Sequence, residues 1–139
     1  MREILFRGKL PDTGEWVEGY VVKGRLTYIL TAENIHYMSV SVMGHASVDV
    51  LPVKPETVGQ YTGLKDVNGK RIFEGDIVEG EYFDDEDGYG IIQWNDGAFE
   101  IVNDYTCVTF HENLYSTDLS VIGNIHDNPD LIGGAGDGK

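Results

Sequence analysis

The fold of this chain is decided by residues 62–78, which read Thr-Gly-Leu-Lys-Asp-Val-Asn-Gly-Lys-Arg-Ile-Phe-Glu-Gly-Asp-Ile-Val. Asn68-Gly69 lies between two short runs that carry apolar residues. This dipeptide predicts a tight hairpin turn, because Asn and Gly adopt positive φ at little cost. Ile72-Phe73 and a Gly-Asp corner follow, and this order is typical of a small β-barrel. We interpret Asp76, at that corner, as a turn residue whose carboxylate accepts backbone N–H groups.

The composition favours strands over helices. The chain has 139 residues, of which 41% are apolar and 18 are glycine. High glycine content together with many Val, Ile, Tyr and Thr residues is typical of short strands joined by tight turns. No apolar run approaches the roughly 20 residues of a membrane-spanning helix, and the N-terminus lacks the apolar core of a signal peptide. We therefore expect a soluble intracellular protein that does not contact a membrane.

Turn residues divide the chain into two β-rich parts. We predict an N-terminal β-rich unit over residues 1–55, a short connector over 56–64, a small β-barrel domain over 65–130 and a flexible tail over 131–139. Pro52 places the last strand of the first part at a sheet edge, because proline cannot donate to a strand ladder. Asn95-Asp96-Gly97 predicts a second tight turn in the barrel domain.

The net charge of -14 is distributed unevenly along the chain. Residues 1–71 contain nine Lys and Arg against eight Asp and Glu, whereas residues 72–139 contain one Lys against sixteen Asp and Glu. Because phosphate binding requires Lys and Arg, the second half is a poor candidate for nucleic-acid contact. Two such different surfaces could pair between subunits. The positive side would then consist of Arg2, Arg7, Lys9, Lys23 and Arg25.

Three parts of the sequence carry a family resemblance when they are taken in order. The first is Arg-Glu-Ile-Leu-Phe-Arg-Gly-Lys at 2–9 with Trp-Val-Glu-Gly-Tyr at 16–20. The second is Glu-Thr-Val-Gly-Gln-Tyr-Thr-Gly-Leu-Lys-Asp at 56–66 with Gly-Lys at 69–70 and Ile-Phe-Glu-Gly-Asp-Ile-Val at 72–78. The third is Val-Ile-Gly-Asn-Ile-His-Asp-Asn-Pro at 121–129.

Together these segments resemble the YopX family of small bacteriophage and prophage proteins, over nearly the whole chain. The resemblance implies a mainly β fold, with a small N-terminal β-rich unit followed by an SH3-type small β-barrel. It further implies a phage or prophage origin and homo-oligomers, so that the expected intracellular location is the cytoplasm of the bacterial host cell. It implies no established activity and no catalytic residue.

Neither a metal site nor a catalytic site is predicted. The acidic run Asp84, Asp85, Glu86 and Asp87 lacks the ligand spacing of a calcium loop, so a solvated hairpin loop is the favoured interpretation. The four histidines lack metal-binding spacing, and there is no nucleophile elbow and no nucleotide-binding glycine motif. Cys107, the single cysteine, is predicted to be a small strand residue packed in or near the core. We therefore expect no enzyme activity, cofactor or metal.

An aromatic pair and the acidic loop are the candidate protein-binding residues. Trp94 and Phe99 flank the second predicted turn, where they could form a platform for a peptide or a stacked base. Cross-strand packing is the favoured interpretation of this pair. A groove of the SH3 type would still accept a peptide, and an acidic rim of Asp84, Asp85, Glu86 and Asp87 would select a basic one.

These observations lead to one expected function and two alternatives. We expect a phage accessory protein that self-associates and binds another host or phage protein through an acidic C-terminal barrel. One alternative is association with nucleic acid through the basic residues of the N-terminal unit. The other is that the acidic barrel mimics DNA and occupies a host DNA-binding protein.

Overall fold

The structure, a computed structural model, describes residues 3–31, 50–80, 88–103, 107–109 and 119–133 and is mainly β. Within these ranges, the helical elements are a 3₁₀ turn at Pro55–Thr57 and a short helix, α1, at Pro129–Gly133. The strands, in chain order, are β1 Phe6–Lys9, β2 Trp16–Lys23, β3 Thr27–Thr31, β4 Val50–Pro52, β5 Gly59–Lys65, β6 Arg71–Phe73, β7 Asp76–Glu79, β8 Tyr89–Asn95, β9 Ala98–Val102, β10 Cys107–Thr109 and β11 Ser120–Asn124.

The described strands form two antiparallel sheets, as the mainly β prediction requires. Their strand orders are β4-β3-β2-β1-β5-β6 and β10-β9-β8-β7-β11. The chain divides into two compact units, Met1–Tyr61 and Thr62–Lys139, so that the division falls within β5. The finer limits 1–55, 56–64, 65–130 and 131–139 stay predictions. Within the described part of the chain, no helix is both long and apolar enough to cross a membrane.

The first unit is built on a series of antiparallel neighbours. β1 pairs with β2, β2 with β3 and β3 with β4, and β1 also pairs with the beginning of β5. Leu5, Ile29 and Val53 are buried hydrophobic residues of this unit. Among the described strands, β4 lies at one edge of the sheet, in agreement with the position near an edge predicted from Pro52.

The quoted stretch 62–78 forms a hairpin, a corner and the start of β7. The N–H of Asp66 donates to the carbonyl of Lys70 at 2.8 Å, and the N–H of Gly69 donates to the carbonyl of Asp66 at 3.0 Å. Gly69 has a φ of 82°, whereas Asn68 does not enter the positive region. The predicted turn is therefore present, and its geometry is that of a type I turn followed by a glycine bulge.

The carboxylate of Asp66 holds this turn against β11. Oδ1 accepts the N–H groups of Asn68 and Lys70, both at 2.9 Å, and Oδ2 accepts the N–H of Val121, also at 2.9 Å. Burial alone would raise the pKa of Asp66. The three N–H donors and the positive charge of Lys70 outweigh that effect together, so the pKa of Asp66 lies below its ordinary value.

The Gly-Asp corner after β6 has the predicted chemistry. Asp76 is 1% exposed, and its Oδ2 accepts the N–H of Phe73 at 2.8 Å, which confirms its interpretation as a turn residue. The N–H of Gly75 donates to the carbonyl of Ile92 at 2.7 Å. The corner is therefore fixed both to β6 and to β8.

The core of the second unit is formed by side chains on and next to the strands that surround this corner. Among the described residues, the pairing leaves β10 and β11 at the two edges of their sheet, so the sheet is open. Leu64 and Val121 are partly buried against the core, whose buried members are Ile72, Val78, Ile92, Phe99, Ile101 and Leu119.

Replacing the Asp66 carboxylate tests whether it stabilises the second unit in its charged form. Because the folded-state pKa of Asp66 is lowered, its contribution to stability is complete above the unfolded pKa of about 3.9 and is lost as the pH falls through the folded pKa. We expect Asp66→Asn to reduce the free energy of unfolding by about 1–3 kcal/mol at pH 7, since the amide nitrogen cannot accept an N–H. The deficit should shrink toward pH 3.

Urea unfolding of the wild type and the variant at both pH values measures this difference. Asp96→Asn is a matched control, because Asp96 is exposed and Asn tolerates its positive φ. The control should change the stability by less than about 0.5 kcal/mol. An equal deficit for Asp66→Asn at both pH values would contradict a role for the charge.

Candidate protein-binding site

The hairpin of β8 and β9 brings Trp94 and Phe99 together. The two residues are directly opposed across the strands. Their ring centroids lie 4.8 Å apart at an interplanar angle of 70°, which is the edge-to-face arrangement favoured by aromatic quadrupoles. Asp96 has a φ of 53° and Gly97 a φ of 84°, so the second predicted turn is present as a two-residue type I′ turn.

The two aromatic rings have different surroundings. Phe99 is 9% exposed and belongs to the core of the second unit, whereas Trp94 is 50% exposed. The favoured interpretation, cross-strand packing, therefore describes Phe99 well and Trp94 only in part. The buried phenyl ring contacts the indole in an edge-to-face arrangement, and Trp94 remains half exposed. Trp94 is accordingly the residue of this pair that a partner can reach.

The acidic members of the predicted site are not placed beside the aromatic pair. Asp84, Asp85, Glu86 and Asp87 lie outside the described residues, and their role as an acidic rim stays a prediction. Glu100 is opposite Gln93, one position along the ladder from Trp94 and Phe99. Because side chains alternate along a strand, Glu100 projects from the other face of the sheet. Asp96 is an exposed acid in the turn between the two aromatic residues.

Cys107 lies in β10, which confirms the predicted strand, but it is exposed rather than packed in the core. Its Sγ donates a hydrogen bond to Oε1 of Glu100 at 3.3 Å. This hydrogen bond raises the pKa of Cys107, since a thiolate could not donate it. Desolvation and the negative charge of Glu100 add to the increase in the pKa. Cys107 is therefore held as a thiol, which is the less reactive form.

The basic residues predicted for the positive side do not form one exposed surface. Arg7 is 7% exposed, and its guanidinium carbon lies 4.4 Å from the centre of the Trp16 ring. Nζ of Lys9 is 5.6 Å from the centre of the same ring. The prediction that Arg7 offers a surface charge is therefore wrong, because the guanidinium packs on an aromatic face. Lys23 and Arg25 are exposed, and Arg2 lies outside the described residues.

The sequence reasoning assigned no role to the side chains that end β11. Oδ1 of Asn124 accepts the N–H groups of His126 and Asp127 at 3.0 and 2.9 Å. Oδ1 of Asn128 accepts the N–H of Asn124 at 3.2 Å and would lie 2.6 Å from a Cβ placed on Gly123. The motif at 121–129 therefore forms a compact turn that requires glycine. Asx turns of this kind are signalled by closely spaced Asn and Asp residues.

The described ranges contain no candidate metal-binding cluster. No group of three or more His, Cys, Asp or Glu side chains within them is arranged to hold a metal ion. The acidic run at 84–87 lies outside those ranges.

These features define a mainly β protein of two units, with an accessible tryptophan beside a tight turn of the second unit. The chain belongs to the YopX family, because the family model described as "YopX protein" matches residues 5–133. This match confirms the resemblance found in the sequence. The comparison with curated proteins gave no match.

The fold is similar to that in the crystal structure of protein EF1440 from Enterococcus faecalis. The two chains are 22% identical, with a TM-score of 0.60, and the alignment covers 95% of this chain and 99% of the other. At this level of identity the likeness is one of fold.

The environment of Cys107 leads to a prediction about its reactivity. Replacing Glu100 by Gln removes the negative charge that disfavours the thiolate. We expect Glu100→Gln to shift the pH profile of Cys107 alkylation to lower pH. Stopped-flow alkylation over a range of pH measures the shift. Glu79→Gln, the same change at an exposed position of β7, should leave the profile unchanged. An unaltered profile for Glu100→Gln would mean that Glu100 does not control the thiol.

Proposed function

We propose that this protein is a non-enzymatic accessory protein of phage or prophage origin. In this proposal it self-associates and binds a basic segment of another protein through its acidic C-terminal half. The observation that carries the proposal is the half-exposed Trp94, whose indole packs against the buried Phe99. It lies in the part of the chain, residues 72–139, that has one Lys against sixteen Asp and Glu.

We infer that the second unit is a small barrel of the SH3 type. Support comes from the strand order β10-β9-β8-β7-β11, in which four consecutive strands form a meander and the last strand returns to pair with the first of them. Short antiparallel strands in such an order are the usual components of small barrels. Closing this sheet would enclose the core cluster that already lies on one of its faces.

A basic partner suits Trp94 for two physical reasons. A lysine or arginine placed over the face of an indole is attracted by its quadrupole, with an energy of about 0.5–2 kcal/mol. A strongly negative half also attracts positive segments over long distances and raises the rate at which they associate. An accessible indole ring in the strongly acidic half of the chain therefore favours Lys- or Arg-containing peptides over neutral ones.

Different observations bear on the two alternatives, nucleic-acid association and DNA mimicry. Association with nucleic acid would use the basic residues of the first unit, and the burial of Arg7 against Trp16 removes one of them from the available surface. Lys23 and Arg25 are exposed, so they remain candidates for a contact with nucleic acid. A DNA mimic would use the acidic half, as the leading proposal does, but its partner would be a host DNA-binding surface.

A fluorescently labelled peptide rich in Lys and Arg tests the main proposal by anisotropy. We expect saturable binding to the full chain that weakens as salt is raised, because exposed charges are screened within about 10 Å at 0.1 M ionic strength. Trp94→Ala should raise the dissociation constant by about tenfold, the loss expected for one aromatic anchor.

Two controls make the peptide result specific. Val67→Ala removes a side chain that is 59% exposed in the same unit and should leave binding unchanged. An acidic peptide of equal length should not bind. Equal binding by the wild type and Trp94→Ala would contradict the proposed site. Absence of peptide binding, combined with salt-sensitive binding of duplex DNA, would favour the nucleic-acid alternative instead.

A further inference from the structure

Part of one face of the sheet in the first unit, next to the exposed Glu18 on the same face, is apolar and exposed. It is formed by neighbouring residues on β2, β3 and β4, and three of them are substantially accessible: Tyr20 is 40% exposed, Val22 45% and Val50 51%. We call this surface the β2–β4 face. Its six members are uncharged and consist of Tyr20, Val22, Tyr28, Leu30, Val50 and Pro52.

The strand register places these side chains on one surface. Tyr20 is opposite Leu30, and Leu30 is opposite Val50, which gives one row across the three strands. Val22, Tyr28 and Pro52 form a second row in the same way. Directly opposed residues of antiparallel strands project from the same face, and residues two apart on one strand do so as well. The two rows are therefore adjacent and continuous.

The opposite face of the same three strands already supplies a core. Val21, Ile29 and Leu51 are opposed to one another there, and Ile29 is 0% exposed. An antiparallel sheet with one buried face normally carries polar residues on its other face. The β2–β4 face departs from this pattern, since it is apolar as well. Contiguous exposed apolar surface of this kind typically marks a contact with another macromolecule.

The edge of the sheet limits how this surface can be covered. β4 is the edge strand among those that the structure describes, and the N–H of Val53, directly after it, donates inward to the carbonyl of Thr27 at 3.0 Å. The neighbouring position, Pro52, has no N–H to offer outward. Proline at an edge opposes the addition of a further strand. A partner would therefore pack on the face of the sheet rather than extend its edge.

The charge distribution identifies a second copy of this chain as the partner that suits this surface. Residues 1–61 contain six Lys and Arg against seven Asp and Glu, whereas residues 62–139 contain four against seventeen. Two copies can therefore approach through their first units with little repulsion, while the second units of an identical pair repel each other. A two-fold interface also requires a self-complementary surface, and an uncharged apolar surface meets that condition.

We propose that two copies of this chain associate by packing their β2–β4 faces against each other. This inference rests on the self-association included in the proposed function and assigns a surface to it. Sheets packed face to face interdigitate their side chains at a spacing of about 10 Å.

The effect of salt concentration distinguishes this contact from charge pairing between the unlike halves of two chains. Screening weakens a pairing of opposite charges, whereas it leaves an apolar contact intact and reduces the repulsion between the acidic second units.

Sedimentation velocity at low and high salt, over a range of concentrations of the full chain, tests the proposal. We expect a dimer that is at least as tight at high salt as at low salt. Val22→Lys and Val50→Lys should each raise the dimer dissociation constant by about tenfold or more, because each change occurs twice in a two-fold interface. Val67→Lys is the matched control: it makes the same change at a valine that is 59% exposed in the second unit. It should not alter the dimer.

Each other result has a defined meaning. A monomer at both salt concentrations overturns this inference together with the self-association, while peptide binding at Trp94 remains a separate measurement. A dimer that both valine variants leave unchanged overturns the β2–β4 face alone and keeps self-association through another surface. A dimer that is lost at high salt overturns the face in favour of charge pairing. Circular dichroism of each variant ensures that a lost dimer does not reflect a lost fold.

Discussion

The second unit depends on one carboxylate that satisfies donors from two distant parts of the chain. Asp66 accepts two N–H groups within its own turn and a third from Val121, which is 55 residues away in sequence. The N–H of Val67 donates to the carbonyl of Leu119 at 2.9 Å, which strengthens the same connection. Leu119 is a member of the core. The contacts that shape the turn therefore also hold β11 and the residue before it in place, and three partly buried N–H groups would lose their acceptor without Asp66.

Local signals in the sequence predicted the turns and the corner because their physical causes are local. Gly69, Asp96 and Gly97 adopt positive φ where the Asn-Gly and Asp-Gly pairs indicated turns, and Asp76 accepts a backbone N–H at its corner. The partner of Asp66 could not be predicted, since it depends on which distant strand returns to the turn. The same limit applies to Cys107, whose strand was predicted although its exposure was not.

The different burial of the two aromatic side chains at the candidate site depends on where each one lies relative to the core. The predicted cross-strand packing correctly paired Trp94 with Phe99, but it does not tell which ring lies over the centre of the core and which lies beyond it. The burial of Arg7 was also not predictable from its own strand. A charged residue in a short strand is expected at the surface, whereas Arg7 is buried and packs on Trp16. Side-chain burial is a property of the assembled sheet, whereas alternation is a property of one strand.

The two tryptophans have a practical consequence for observing how the chain unfolds. Each unit contains one, Trp16 in the first and Trp94 in the second. Trp16 lies beside the cationic groups of Arg7 and Lys9, whereas Trp94 is half exposed to water and contacts a phenyl ring. Indole emission responds to such local fields and to solvent, so we expect the two fluorophores to differ in emission wavelength and quenching. The chain therefore carries a native optical reporter in each unit, through which the cooperativity between the units can be followed without an added label.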